Sequence, residues 1–255
     1  MPDSPFDPVW PNGLRAISLD LDDTLWPFAP AVARAEAALH RWMLERFPGI
    51  ARTASGPGAL ARMRERTAIE RRDLAERPDL IRKESIRRIL AAAGGDGIFV
   101  DEAYDVFYAE RLRVELYDDV VPALEWLAAR YAIVAVTNGN SSLAAAGIDR
   151  FFDAAVTAQE VGAGKPEARI FHEAARKLKL SPSRILHVGD SHPMDVVGAR
   201  RAGMAAAWLV REPVPPAARD TRDTREPDAH AVVGSLGDLC LLLQGTRMAT
   251  KDIPR

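Results

Sequence analysis

Polar side chains follow apolar, strand-length runs at several points of this 255-residue chain. The acidic cluster in ISLDLDDTLW comes directly after the run LRAISL, and other polar groups end the runs YAIVAVTNGN and RILHVGD. A lysine also precedes a helix-like stretch in GAGKPEARIF. The groups so placed are Asp20, Asp22, Thr137, Asn138, Lys165, Asp190 and Asp195. Because the carboxyl ends of neighbouring parallel strands meet at one sheet edge, we expect these groups to lie together.

The charges at that edge do not balance. Four carboxylates (Asp20, Asp22, Asp190 and Asp195) face one ammonium, that of Lys165. Like charges at close range raise each other's pKa unless a positive charge intervenes. A hard divalent cation with oxygen ligands resolves the imbalance, and Mg²⁺ commonly uses one or two carboxylates together with a substrate phosphate. The sequence therefore predicts a metal site that also takes an anion.

The same groups suit phosphoryl transfer. An aspartate at a strand end can attack phosphorus and form an acyl phosphate, which is a chemistry available to Asp20. Asp22, two residues further on, can protonate the leaving oxygen and later activate water. Thr137, Asn138 main-chain donors and Lys165 can stabilise the negative charge on the transferring group.

Alternating strand and helix patterns surround these groups. Stretches such as VVPALEWLAARY and EARIFHEAARKLKL separate the apolar runs, which predicts a parallel sheet covered by helices on both faces. The five predicted strands are 14–20, 131–140, 154–158, 184–190 and 205–210, and a short strand and closing helix are predicted within 231–243.

More than a hundred residues separate the first two predicted strands. Residues from about 28 to 114 carry apolar positions at helical spacing, which predicts a helical insertion over the carboxyl edge of the sheet. We therefore assign 1–27 and 115–255 to a core domain and 28–114 to a helical cap domain. Residues 30–90 contain 14 Arg or Lys and 8 Asp or Glu, a balance that suits an acidic substrate.

The composition is that of an ordinary globular protein, with 47% apolar residues and a formal net charge of -2. The chain has no overall excess of positive charge that would indicate binding to nucleic acid or to an anionic membrane. No apolar run reaches the length of a membrane-spanning helix, and the acidic, proline-rich start reads as a loose lead-in. The single cysteine, Cys240, fits a reducing compartment. We expect a cytoplasmic protein of undetermined oligomeric state.

Four stretches, in order, resemble the motifs of the haloacid dehalogenase-like superfamily of phosphohydrolases. They are DLDDTL, AVTNGN, GKPEARIF and HVGDSHPMDVVGARRAG, spread over residues 14–210. One such motif would be weak, whereas four at matching order and spacing are specific. The resemblance implies an α/β, Rossmann-like core with strand order 5-4-1-2-3 and a helical cap of the C1 type inserted after the first strand.

The resemblance also implies a role for each residue at the predicted edge. Asp20 would be the nucleophile that becomes phosphorylated, and Asp22 the general acid and base. Thr137 would bind phosphate through its hydroxyl with help from Asn138. Lys165 would bind phosphate and hold the nucleophile.

The metal would be Mg²⁺, with Asp20 among its ligands. Asp22 would contribute its main-chain carbonyl, Asp190 a carboxylate, and Asp195 a contact that can run through water. The partner implied by the resemblance is a small phosphomonoester substrate. The sequences DLDDTLW, AVTNGN and ILHVGD look closest to the flavin-pathway members of the family, which favours flavin mononucleotide or the ribitylaminouracil phosphate of riboflavin synthesis.

Other reactions stay open on the same core. A sugar-phosphate phosphatase or mutase would keep Asp22, a 2-haloacid dehalogenase needs neither that acid nor magnesium, and a binding protein would have lost catalysis altogether. The intact motifs favour phosphoryl transfer.

Several other residues near the motifs have bland or functional interpretations. For Asp23 we expect a capping or surface role, for His187 a packed strand position and for His192 a loop contact. Ser191 is a candidate for the metal shell. Trp26 either packs at the start of the cap linker or contacts a substrate ring.

Overall fold

The computed structural model describes residues 13–53, 58–211 and 229–249. These residues form two compact units. The sheet unit comprises 13–26, 116–138, 147–211 and 229–249, and the helical unit comprises 27–53, 58–115 and 139–146. The predicted lead-in at 1–12 lies outside the described residues.

A parallel sheet of six strands forms the centre of the sheet unit, in the order β3-β2-β1-β4-β5-β6. The predicted α/β class and the predicted order of the first five strands are confirmed. β6 adds one strand beyond β5, pairing Ala207 with Ala231, so the sheet is wider than the predicted order of five. The strands are β1 Ala16–Leu19, β2 Ala132–Thr137, β3 Ala154–Thr157, β4 Ile185–Gly189, β5 Ala205–Leu209 and β6 Ala231–Val233.

Apolar residues on successive strand positions explain why this sheet is central. Alternate side chains of a strand point to opposite faces, and Val134 and Val136 of β2 belong to a buried cluster with Phe171. Ile133 and Ala135, which face the other way, are buried as well, so both faces are covered. The helices of this unit are α6 Val120–Ala128, α7 Ala158–Val161, α8 Ala168–Leu178, the π-helical turn His192–Val196, α9 Val197–Arg201 and α10 Leu236–Ala249.

The helical unit contains the insertion predicted between the first two strands, and this insertion is helical. Its helices are α1 Phe28–Arg46, α2 Ile50–Thr53, α3 Ala59–Glu70, α4 Pro78–Ala92 and α5 Val100–Arg111. The apolar face of α1, including Leu39 and Met43, packs with Leu90 of α4 and Phe107 of α5 in one buried cluster. α4 ends at Ala92, two residues before Gly94, which adopts a positive φ of 76° that most other residues avoid.

Residues 139–146 follow β2 in sequence but belong to the helical unit. The hydroxyl of Tyr108 donates to the main-chain oxygen of Asn140 at 2.8 Å, and the Asn140 amide donates to Tyr104 at 3.1 Å. Arg111 donates to Ser141 at 2.9 Å. These contacts hold the segment on α5, whereas the boundaries predicted from the sequence placed it in the core domain.

Within the described ranges, no helix combines the length and the apolar character needed to cross a bilayer.

Candidate active site

Three of the predicted site residues stand at the carboxyl ends of adjacent strands. Asp20 follows β1 directly, Thr137 is the last residue of β2, and Asp190 follows β4. β1 pairs in parallel with both β2 and β4, so the three strand ends are neighbours. The Asp20 amide donates to the carbonyl of Val188 at 3.0 Å, which continues the ladder up to the carboxylate.

Lys165 lies at the centre of this edge. Its Nζ donates to Asp20 Oδ1 at 2.5 Å and to Asp195 Oδ1 at 2.6 Å, and all three side chains are buried. Asn138 fixes the main chain of the lysine on both sides, since its amide donates to the Lys165 carbonyl at 2.9 Å and its oxygen accepts from the Lys165 amide at 2.6 Å. Asn138 therefore contributes by positioning Lys165.

Asp195 is held by donors on both oxygens. Oδ1 accepts from Lys165 and lies 3.0 Å from His187 Nε2, while Oδ2 accepts from the Ser191 amide at 2.9 Å. The backbone passes so close that a Cβ on Gly189 would lie 2.2 Å from Asp195 Cγ, so this position requires glycine. The aspartate is thereby fixed as a partner of the lysine.

Behind Asp195 runs a buried chain of hydrogen bonds. His187 Nδ1 lies 2.8 Å from the hydroxyl of Ser18, its register partner on β1. With Nε2 donating to the carboxylate of Asp195, Nδ1 accepts from the serine, which sets the tautomer of the ring. His187 is packed in its strand as expected, and it also orients a residue of the site.

Thr24 joins the two aspartates of adjacent strand ends. Its buried hydroxyl lies 3.4 Å from both Asp20 Oδ2 and Asp190 Oδ1. Asp190 is further held by its main chain, because the indole N–H of Trp208 donates to the Asp190 carbonyl at 2.8 Å. The ring of His192 packs edge-on against Trp208 at 5.1 Å between centroids, the loop contact expected for it.

Asp22 lies outside this carboxylate cluster. Its Oδ1 accepts from the indole N–H of Trp26 at 2.8 Å, and Trp26 is fully buried. Asp23 is exposed and adopts a positive φ of 59° in the turn between them, a conformation that aspartate tolerates better than most residues.

The electrostatics of the cluster show an excess of negative charge. Burial, opposed by Lys165 and reinforced by Asp195 and Asp190, raises the pKa of Asp20 well above its usual value. Burial and the charge of Asp195 raise the pKa of Asp190 to about 6. Burial disfavours the charged lysine, but Asp195 and Asp20 outweigh it and raise the pKa of Lys165. Burial also opposes ionisation of Asp195, yet Lys165 and His187 lower its pKa.

This donor set fits a divalent metal ion. One oxygen each from Asp20, Asp190 and Asp195 lies within 4.8 Å of the others. Oxygen donors suit hard cations, and three carboxylates around one ammonium leave negative charge that a dication offsets. Asp22 was predicted to contribute its main-chain carbonyl and is not part of this carboxylate group.

Sequence reasoning missed the supporting residues of the site. Thr24 belongs to the quoted motif DLDDTL and could have been noted as a buried hydroxyl donor. Ser18 and Trp208 carry no local signal, because their contacts with His187 and with the main chain of Asp190 depend on strand register and on the turn after β4.

Residues 14–203 match the sequence model of a hydrolase family, the haloacid dehalogenase-like hydrolases. The match covers well over half of the chain, and the chain belongs to this family. The family resemblance predicted from the four motifs is confirmed, and the protein is an enzyme of the hydrolase class.

Relatives of this chain include named phosphatases. It is 29% identical over 203 residues to the 5-amino-6-(5-phospho-D-ribitylamino)uracil phosphatase of Escherichia coli strain K12, a match covering 77% of this chain and 83% of the relative. It is 30% identical to the glyceraldehyde 3-phosphate phosphatase of Methanopyrus kandleri, covering 78% and 84%.

A solved structure is also similar to this chain. It is described as a 2-haloacid dehalogenase from Pseudomonas syringae pv. Tomato DC3000, and it is 32% identical with a TM-score of 0.77, covering 91% of this chain and 99% of that one.

Proposed function

We propose that this chain is a Mg²⁺-dependent hydrolase of a small phosphomonoester that works through a phosphorylated Asp20. The observation that carries the proposal is the buried Lys165 bridging Asp20 and Asp195, with Asp190 in the same carboxylate cluster. Such a cluster binds both a dication and an anion, and it keeps one carboxylate aimed by a fixed ammonium. The named phosphatases among the relatives support the same chemistry.

In the first half of the reaction a carboxylate oxygen of Asp20 attacks phosphorus. The bond from phosphorus to the leaving oxygen breaks, and that oxygen takes a proton from Asp22. Lys165 offsets the charge on the phosphoryl oxygens and the hydroxyl of Thr137 donates a hydrogen bond to them, while Thr24 and Lys165 orient the nucleophile. The products are the dephosphorylated alcohol and an aspartyl phosphate.

In the second half, water attacks phosphorus and loses a proton to Asp22. The bond between phosphorus and Asp20 breaks, which releases inorganic phosphate and restores the carboxylate. Lys165 stays paired with Asp195 throughout, since Asp195 is held by His187 and the Ser191 amide.

Asp20, Asp190 and Asp195 would hold the cation, together with the main-chain carbonyl of Asp22. When bound, Mg²⁺ supplies positive charge that offsets the carboxylates and polarises the phosphoryl group.

For the substrate we propose a flavin-related phosphomonoester. The Escherichia coli relative is named for 5-amino-6-(5-phospho-D-ribitylamino)uracil, and this substrate is one of the two expected from the motif sequences. Another relative is named for glyceraldehyde 3-phosphate, so triose phosphates belong in the same assay panel.

Haloacid dehalogenation is the second candidate, and the similarity to the Pseudomonas syringae structure favours it. That reaction displaces halide from carbon and requires no acid two residues after the nucleophile. In this chain Asp22 is present with its own indole donor, and a third carboxylate, Asp190, stands beside Asp20. Both features have a task in phosphoryl transfer and none in halide displacement.

One experiment separates these functions. The purified chain is assayed for phosphate release from p-nitrophenyl phosphate, flavin mononucleotide, ribitylaminouracil phosphate and glyceraldehyde 3-phosphate, in Mg²⁺ and in EDTA. Chloride release from 2-chloropropionate is measured in parallel. We expect Mg²⁺-dependent phosphate release and a phosphoryl group trapped on Asp20. Chloride release without phosphate release would replace the proposal by dehalogenation, and equal activity in EDTA would remove the metal from it.

A further inference from the structure

Trp26 is the residue of the first motif whose role the sequence leaves open. It follows Asp22 by four residues and is fully buried. A ring without exposed surface offers no face for a substrate ring to stack on, which removes one of the two interpretations. Its indole N–H instead donates to Asp22 Oδ1 at 2.8 Å.

The turn between the two residues holds them together through the main chain as well. The Asp23 amide donates to the Trp26 carbonyl at 2.8 Å, and the Leu25 amide donates to Leu21 at the same distance. Asp22 and Trp26 also form an isolated parallel β-bridge. The indole therefore reaches Asp22 from a backbone that is itself fixed, so its N–H is a preorganised donor.

We propose that Trp26 is a positioning residue that aims the general acid Asp22 at the leaving oxygen. The inference rests on the proposed phosphatase function and extends it to a residue outside the charged cluster. In this proposal the indole N–H of Trp26 has a function in catalysis in addition to the packing of its ring.

The chemistry follows from which oxygen accepts. A donor on Oδ1 favours the carbonyl form of that oxygen, so the proton of the neutral acid resides on Oδ2. As the bond from phosphorus to the leaving oxygen breaks, the proton passes from Oδ2 to that oxygen. The carboxylate that remains accepts a stronger, charge-assisted hydrogen bond from the indole, so the contact strengthens as the proton leaves.

The test uses leaving groups of different basicity. General acid catalysis matters most for a basic leaving group, such as an alkoxide, and least for p-nitrophenolate. Trp26→Phe should therefore lower kcat/KM for an alkyl phosphate by about tenfold, while p-nitrophenyl phosphate changes by less than about threefold. A plot of log kcat/KM against leaving-group pKa then becomes steeper.

Two variants calibrate this measurement. Asp22→Asn sets the slope of an enzyme without the acid, and adding Trp26→Phe to it should steepen the slope no further, because the indole acts through Asp22. Trp42→Phe removes another buried indole, in the apolar cluster of the helical unit, and should leave the slope unchanged.

A variant with 3-benzothienylalanine at position 26 keeps the bicyclic shape and lacks only the N–H, so it tests the donor even if Trp26→Phe folds poorly. A steeper slope in this variant supports the inference. An active variant with the wild-type slope overturns it and leaves the phosphatase function standing. A wild-type chain that hydrolyses none of the phosphomonoesters overturns the proposed function and the inference with it.

Discussion

Each unit of the molecule buries an ion cluster, and the two clusters are built differently. In the helical unit one guanidinium meets one carboxylate, since Arg82 donates twice to Glu36 Oε1 at 3.1 Å and lies 4.2 Å from the ring centroid of Phe107. In the sheet unit one ammonium, that of Lys165, faces a cluster of three carboxylates.

The consequence appears in the proton affinities. Burial lowers the pKa of Arg82, and its pairing with Glu36 counters part of that effect, so the guanidinium has one carboxylate as its counter-charge. In the sheet unit Asp20 and Asp190 have a raised pKa even though a lysine lies among them. A balanced pair contributes to the fold, whereas a cluster with surplus negative charge suits a divalent cation.

The largest effect should come from the nucleophile. Asp20→Asn removes the attacking oxygen, so kcat/KM for p-nitrophenyl phosphate should fall by about 10⁴-fold or more. The melting temperature should not drop, because the change takes one negative charge out of a cluster with too many. Hydrolysis assays at saturating Mg²⁺ and circular dichroism melting measure the two quantities.

Glu36→Gln is the matched control for that change. It converts a half-buried carboxylate to an amide in the helical unit, where the charge is balanced, so it should lower the melting temperature and leave kcat within about threefold of wild type. If Asp20→Asn kept turnover and Glu36→Gln abolished it, the assignment of catalysis to the sheet-unit cluster and of stability to the helical-unit pair would be wrong.

The cluster of the sheet unit could largely be predicted from the sequence, because apolar runs show where strands end, whereas the pair of Arg82 and Glu36 was not predicted. Asp20, Thr137 and Asp190 follow apolar runs, and parallel strands bring such ends to one edge. Lys165 and Asp195 do not stand at strand ends; the lysine precedes a helix-like stretch and Asp195 lies five residues after Asp190, and the family motifs then imply their roles.

What the sequence could not supply depends on three-dimensional register. Ser18 meets His187 because β1 and β4 pair at that position, and no local pattern sets this pairing. The placement of 139–146 with the helical unit depends on hydrogen bonds that Tyr108 and Arg111 donate and Tyr104 accepts, which helical periodicity alone does not specify.

The next effect concerns the balanced pair. Arg82→Met leaves the half-buried Glu36 without its counter-charge, and the free energy of unfolding should fall by about 3 kcal/mol. Replacing both partners, as Arg82→Met with Glu36→Leu, should recover most of that loss. Urea unfolding of the three variants measures the coupling. Losses that simply add would show that the pair is not a unit.

A smaller and pH-dependent effect is expected at Asp190 in metal-free protein. Its pKa is raised from 3.8 to about 6 in the folded state, so the folded protein holds a proton there that the unfolded chain has released. The stability that Asp190 contributes is full below about pH 4 and is lost as the pH rises through about 6. Asp190→Asn does not titrate, so in EDTA it should be the more stable protein at pH 7, by on the order of 2 kcal/mol.

Unfolding measured at pH 4 and pH 7, with and without Mg²⁺, checks this expectation. The difference between wild type and Asp190→Asn should shrink towards pH 4, and Mg²⁺ should stabilise wild type more than the variant at pH 7. A variant that is less stable than wild type in EDTA at pH 7 would mean that Asp190 carries no surplus charge.

The smallest effect tests the hydrogen-bond chain behind the cluster. Ser18→Ala removes the donor to His187 Nδ1 and loosens the ring that orients Asp195. We expect kcat to fall by about fivefold, the value of one buried hydrogen bond of about 1 kcal/mol, with KM little changed. The ¹⁵N chemical shifts of His187 should show the tautomer ratio moving, which a loss of packing alone would not cause.

Ser85→Ala removes a buried hydroxyl of the same kind from the helical unit, where Ser85 donates to the carbonyl of Arg82 at 2.7 Å. It should cost a similar small amount of stability and leave both kcat and the His187 shifts unchanged, because the balanced pair takes no part in the chemistry. If the two serines lowered kcat equally, the chain from Ser18 to Asp195 would have no specific role. If only Ser18→Ala lowers kcat, then the neutral hydroxyl of Ser18, two residues before Asp20, contributes to catalysis by orienting Asp195 through His187.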